Sequence, residues 1–253
     1  MKPVIMFSEK CILLVIIYLV KGFSSATINP PTKSATSCNG DISRCLQESM
    51  QRALPTFAEG NREIEVERLD PLTVQRLDLN FPGGLNIQFR QGYAKGLRNC
   101  IVDKARLVEN VLDTEIVCNV SINGKYKSTG RLLMFPINGD GDASIKCRNV
   151  RISITVTLKS VEKEHGSKYL EIVDIKTKHK FVGRITYKLT NIFKGSPETS
   201  KLVMEFINQN WRLVAEEFGD PIVEFGVTRI MSNVKQALKM IPVEKMLSFP
   251  LEF

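Results

Sequence analysis

Between Val173 and Leu189 apolar and polar residues alternate with a period of two. Val173, Ile175, Thr177, His179, Phe181, Ile185, Tyr187 and Leu189 share one parity; Asp174, Lys176, Lys178, Lys180, Val182, Arg184, Thr186 and Lys188 share the other. Successive strand side chains point to opposite faces, so the segment predicts a strand with one apolar and one cationic face. Gly183, in mid-run, predicts a bend or bulge that lets the strand curve. Looser alternation extends from about Val66 to Phe193, with turn signals at Pro82-Gly83-Gly84, Asn123-Gly124, Asn138-Gly139-Asp140-Gly141 and His165-Gly166. This predicts a large antiparallel sheet of hairpins and meanders.

Helical periodicity flanks the sheet. After Asp41, an N-cap residue type, Ile42, Cys45, Leu46, Met50, Ala53 and Leu54 mark a short amphipathic helix that Pro55 and Gly60 should end. Beyond Ser196-Pro197, Leu202, Val203, Phe206, Leu213, Val214, Phe218, Pro221, Ile222, Phe225 and Ile230 follow three-four spacing. A helix from Glu198 to Lys239 would be roughly 60 Å long, with a break at Gly219-Asp220-Pro221. A curved sheet wrapping that helix covers its broad apolar stripe and gives an α+β fold.

The apolar run Cys11–Val20, with Lys2 and Lys10 before it and Ser24-Ser25-Ala26 after, has the layout of a secretory signal peptide, residues 1–26, followed by one domain over 27–253. Removing it lowers the formal charge from +8 only to +6 and leaves five of the six cysteines. In a secreted, extracellular protein Cys38 and Cys45 are close enough to form a disulfide that staples the N-terminal coil to the first helix. Cys118 and Cys147 lie in strand-like segments, where they either pair across the sheet or remain buried thiols. Asn119-Val120-Ser121 is a glycosylation sequon, and Asn119 opposes the parity of Ile116, Cys118 and Ile122, so it should face outward.

The catalytic signals are weak. With only two histidines and no GxSxG, HExxH, P-loop or GxGxxG pattern, the chain is not expected to be an enzyme or to use a metal or cofactor. Asn138, Asp140 and Asp142 begin a calcium-loop spacing, but Ala143 and Asn149 stand where its glycine and glutamate belong. His179 shares the apolar parity of Ile175 and Phe181, so it is read first as a core histidine bonded to backbone and second as a polar group in an apolar pocket. The lysines of the cationic face have no interleaved aromatics, which argues against nucleic acid and leaves a solvated face or transient contact with an anionic membrane or receptor.

The order of landmarks resembles the takeout and haemolymph juvenile-hormone-binding protein family of insects. The resemblance rests on the Cys38 and Cys45 pair before CLQESMQRALPTFAEG, on LDPLTV at Leu69 to Val74, and on GKYKSTGRLLMFPINGDGDASIKCRNV at Gly124 to Val150. NIFKG at Asn191, FINQNW at Phe206 and the terminal IPVEKML follow in order, so it covers about residues 38–249. It implies a long C-terminal helix wrapped by a strongly curved antiparallel sheet around an elongated apolar tunnel. The implied activity is a monomeric carrier of a small hydrophobic ligand, a juvenile-hormone-like terpenoid, fatty acid or related lipid. Combined with the periodicity, this makes Ile175, Phe181, Phe206 and Trp211 the apolar ligand-binding candidates and Thr177, His179 and Tyr187 the polar ones. The alternative is an interaction protein acting on membrane or receptor through its basic sheet face.

Overall fold

A computed structural model of the chain describes residues 42–163 and 166–246, all within one compact unit, Thr36–Phe253. The predicted leader, Cys38, Asp41 and His165 lie outside the described residues.

Helix α1 (Ile42–Glu59) forms where expected but continues past Pro55. A mid-helix proline forfeits one backbone bond, and tertiary anchors outweigh that loss. Gln51 donates Nε2 to the Cys100 carbonyl at 3.1 Å and accepts from the Val102 amide at 2.7 Å. Ala58 is fully buried, and its carbonyl accepts from both Leu69 N and Asp70 N at 3.0 Å. Gly60 then reverses the chain at φ 77°, where an added Cβ would lie within 2.8 Å of the backbone of Val66, Glu67 and Arg68.

The sheet comprises β1 (Leu72–Asn80), β2 (Asn86–Lys95), β3 (Ile101–Val108), β4 (Val111–Leu132), β5 (Phe135–Ile137), β6 (Asp140–Glu162), β7 (Lys168–Phe181) and β8 (Ile185–Leu189). All pairings are antiparallel, in the order β1-β2-β4-β6-β7, with β3 and β5 on β4 and β8 on β6. Two long strands form the backbone of the sheet: β4 has 22 residues and β6 has 23. Asn123-Gly124 is therefore not a turn but lies inside β4. Glycine is needed there for packing, since a Cβ on Gly124 would sit 2.5 Å from the Phe89 ring and one on Gly92 would sit 2.0 Å from it. Phe89 thus occupies a notch left by two glycines.

The curvature has a sequence origin. Strand β2 ends before Gly96, whose Cβ would strike the Asn119 carbonyl at 2.0 Å. The β4 register slips between Cys118 and Val120, and Asn119 Oδ1 accepts from Asn149 N across the sheet at 2.8 Å. Asn149 itself is left-handed at φ 51°, and its carbonyl accepts from Val182 N and Gly183 N. Gly96, Asn119, Asn149 and Gly183 therefore form one line of irregularities crossing the sheet, along which it folds. Gly183 does more than bend a strand: it separates β7 from β8, because a side chain there would lie 2.6 Å from the Arg148 carbonyl. A second bulge, between pairs Thr157–Asp174 and Leu158–Ile172, leaves Val173 out of register and 65% exposed, so it leaves the apolar face on which its parity placed it.

The C-terminal helix is three helices: α2 (Pro197–Gln209), α3 (Trp211–Phe218) and α4 (Asp220–Met240), followed by the single turn α5 (Val243–Met246). The predicted break at Gly219 is present, and a second occurs at Asn210. The breaks rotate the stripe, so Leu202 and Leu213 are 66% and 50% exposed while Val203, Ile207 and Val214 are buried. At Gly219 a Cβ would lie 2.5 Å from the Phe181 ring, so the glycine admits that ring against the helix junction. Each fully buried aliphatic of this layer, such as Val203 or Ile207, contributes about 1.5–3 kcal/mol.

Of the two alternatives for Cys118 and Cys147, a cross-sheet bridge between them does not form. Cys118 is joined to Cys100, 18 positions earlier, and Cys147 is a free thiol. The reason is register: Cys118 faces Val150 in β6, and Cys147 faces Val120. A loop of this size stabilises by about 3 kcal/mol in the chain-entropy account. Cys45 is also disulfide-bonded.

Candidate functional site

The inward faces of the sheet and the helices enclose a cavity of about 280 Å³. Its wall includes Leu72, Val74, Leu77 and Leu79 of β1 and Phe81 just after it, so it runs alongside the whole strand. Strand β4 supplies an even-numbered series, Ile116, Cys118, Val120, Ile122, Tyr126 and Ser128, interrupted only by Gly124. Strand β6 contributes Ala143, Ile145 and Cys147, and α4 closes the other side with Ile222, Phe225, Gly226 and Ile230.

Polar atoms are few and mostly uncharged. Burial, with help from the Asp140 carboxylate, pushes the Tyr126 phenol up to about 12, and its hydroxyl donates to the Thr190 carbonyl at 2.9 Å. Burial likewise raises Tyr187, with the neighbouring Cys147 adding to the effect, and pushes the Cys147 thiol up to about 11. Both groups are neutral near pH 7. Among the described residues Lys95 is the one cationic side chain on the wall, at the end where the cavity adjoins an open polar pocket that also includes Val120, Cys147, Arg68, Arg98, Lys146 and Arg148. Among the described residues no group of three or more His, Cys, Asp or Glu is placed to hold a metal ion. The arrangement can take up an extended apolar molecule with few hydrogen-bonding atoms.

Of the seven ligand-binding candidates, Phe181 and Tyr187 line this cavity. Ile175 packs among core residues, and Trp211 does the same with Arg212 stacked on its ring at 4.6 Å. Phe206 lies edge-to-face against Phe135 at 5.1 Å, and Thr177 is exposed. His179 places Nε2 3.1 Å from the Asp220 carboxylate at the start of α4 and meets the Phe181 ring edge-on, so it ties the helix to the sheet. These five lie outside the cavity wall. The wall draws most heavily on β4, α4 and β6, and β7 gives it only Phe181. The alternation in β4 was available as a signal, but reading Asn123-Gly124 as a turn divides it. Asn119 is exposed, as its parity required.

The profile of the Haemolymph juvenile hormone binding protein (JHBP) family matches residues 11–248. The circadian clock-controlled protein daywake of Drosophila melanogaster is 25% identical over 214 residues, covering 79% of this chain and 82% of daywake. Its Drosophila yakuba counterpart is 26% identical over the same shares. The crystal structure of Epiphyas postvittana Takeout 1 superposes with a TM-score of 0.78 at 28% identity, over 82% of this chain and 97% of that one. The curved sheet and C-terminal helices are thus those of takeout proteins, and the chain belongs to the haemolymph juvenile hormone binding protein family.

Proposed function

We propose that the protein is an extracellular, non-catalytic carrier that holds one small apolar molecule, a terpenoid, fatty acid or related lipid, between sheet and helices. The observation that carries this reading is the apolar cavity lined from both layers. Left empty, an apolar void of that size costs several kcal/mol of packing, and a ligand recovers it by burying surface at roughly 25 cal/mol per Å². The haemolymph of the family's name and the Cys100–Cys118 disulfide support an extracellular setting. In this reading Phe181 and Tyr187 touch the ligand, Ile175, Phe206 and Trp211 back the wall, and His179 holds α4 in place. Organic extraction of the purified protein should release a stoichiometric apolar molecule. Alkylation of Cys147 should be slow until the pH nears 11, and slower still when the cavity is filled. A protein that releases no lipid, takes up no neutral fluorescent probe and shows no protection of Cys147 refutes the carrier.

A second reading, contact with an anionic membrane, is favoured at the Lys95 end. Lys95, Ser121 and Lys146 are cross-strand neighbours in β2, β4 and β6. Lys146 and Arg148 are exposed and have no ion pair among the described residues. The β7 lysines have another explanation: charge on a strand at the end of the sheet order discourages edge-to-edge pairing. Vesicles containing phosphatidylserine should therefore bind the protein at low salt and release it at high salt. Lys146→Glu with Arg148→Glu should abolish binding, whereas neutralising Lys176, Lys178 and Lys180 should not. Equal binding to pure phosphatidylcholine, or none at low salt, removes this reading.

A further inference from the structure

We propose that Ser128 is the recognition hydroxyl for an uncharged oxygen at one end of the apolar ligand; the inference rests on the carrier reading above. Ser128 is 2% exposed, lines the cavity, and its Oγ has no hydrogen-bond partner. Two other buried side-chain atoms, Arg90 Nε and Arg229 Nε, share that condition, but neither residue lines the cavity. Buried hydroxyls are rarely left unpaired, because the loss is about 1–3 kcal/mol. The surroundings keep this one available. Strand alternation places Ser128 beside Tyr126 on the inner face of β4, but the Tyr126 hydroxyl is committed to the Thr190 carbonyl. The Ser128 amide is committed to the Gly139 carbonyl at 2.8 Å. A Cβ on Gly139 would lie 2.8 Å from both hydroxyl oxygens, so glycine leaves open the notch in front of them.

Charge decides what the notch takes. The cation on the wall, Lys95, is the register partner of Ser121, seven residues from Ser128 along β4 and hence roughly 23 Å away. An ionised group beside Ser128 would be desolvated at high cost, and an anion would also be repelled by the Asp140 carboxylate that raises the Tyr126 phenol. An ester, ketone, ether or alcohol oxygen can accept the Ser128 O–H with no such loss. The ligand class is therefore a long apolar molecule with an uncharged oxygen held at the Ser128 end.

The test is displacement of N-phenylnaphthylamine by dodecane and by methyl dodecanoate, in wild type, Ser128→Ala and Ser128→Thr. Ser128→Ala should weaken the ester about fivefold and leave dodecane unchanged, and Ser128→Thr should recover the ester. Because the alanine removes an unsatisfied group, its urea midpoint should not fall, which separates recognition from misfolding. Equal shifts for both compounds, or none, overturn the inference, as they would if a water satisfies the hydroxyl. A wild type that binds neither compound overturns the carrier reading and this inference with it.

Discussion

Gly226→Phe should abolish uptake of a neutral apolar probe, weakening it by at least about tenfold, while the melting temperature stays level or rises. Gly226 lies within α4 and on the cavity wall, and a Cβ built there meets nothing within 4 Å. Neither a tight approach nor a left-handed backbone requires glycine at this site. In a helix interior glycine costs about 1 kcal/mol relative to alanine, so Gly226→Ala should stabilise by up to that amount and narrow the cavity slightly. Phenylalanine at the same site would put its ring into the space the ligand occupies. The contrast is Gly219→Ala, whose new Cβ would lie 2.4 Å from the Ala215 carbonyl and 2.5 Å from the Phe181 ring, and which should lower stability. Urea denaturation and probe titration on the three variants read both effects. Unchanged probe affinity in Gly226→Phe would mean that the ligand does not lie against α4. A helix glycine that loosens the fold yet keeps the cavity open marks a position where space outweighs helix propensity.

The layers were legible in the sequence because each buries one side: period-two alternation gives strands, and three-four spacing gives helices. Where the reading failed, long-range packing had overridden a local signal. Asn123-Gly124 has turn composition, but its glycine admits Phe89, which is more than thirty positions away in the chain. Pro55 has breaker character, but Gln51 and Ala58 are held by β3 and by the Leu69-Asp70 segment. The candidate site was less legible than the fold. Parity sorted Ile175, Thr177 and His179 to the inner face of β7, but the crease at Asn119, Asn149 and Gly183 directs only the Phe181 end of that strand to the cavity. No local pattern shows where a sheet will fold, since the crease is assembled from four segments far apart in the chain. Asp70 was likewise visible only as part of the LDPLTV motif, without a role.

Asp70→Ala should cost about 3 kcal/mol, seen as a lower urea midpoint with little change in slope. The Asp70 side chain is 6% exposed, and Oδ2 accepts from Gly96 N at 3.2 Å and Arg98 N at 2.9 Å. Arg98 Nε lies 3.6 Å from the same oxygen, and at 38% exposure it contributes less than a buried partner would. Truncation strands two backbone donors beneath a largely buried side chain, each worth about 1–3 kcal/mol. Asp70→Asn keeps an acceptor oxygen and should cost about half as much. The effect should reach the cavity as well. Asp70 joins the end of α1, through Ala58, to the turn that carries Lys95, Leu97 and Cys100, and Lys95 and Leu97 line the cavity end. Loosening that turn should speed probe release more than it changes probe capacity. A loss below 1 kcal/mol would show that the Cys100–Cys118 disulfide holds the turn unaided, and the carboxylate would then have no structural reason to be buried there.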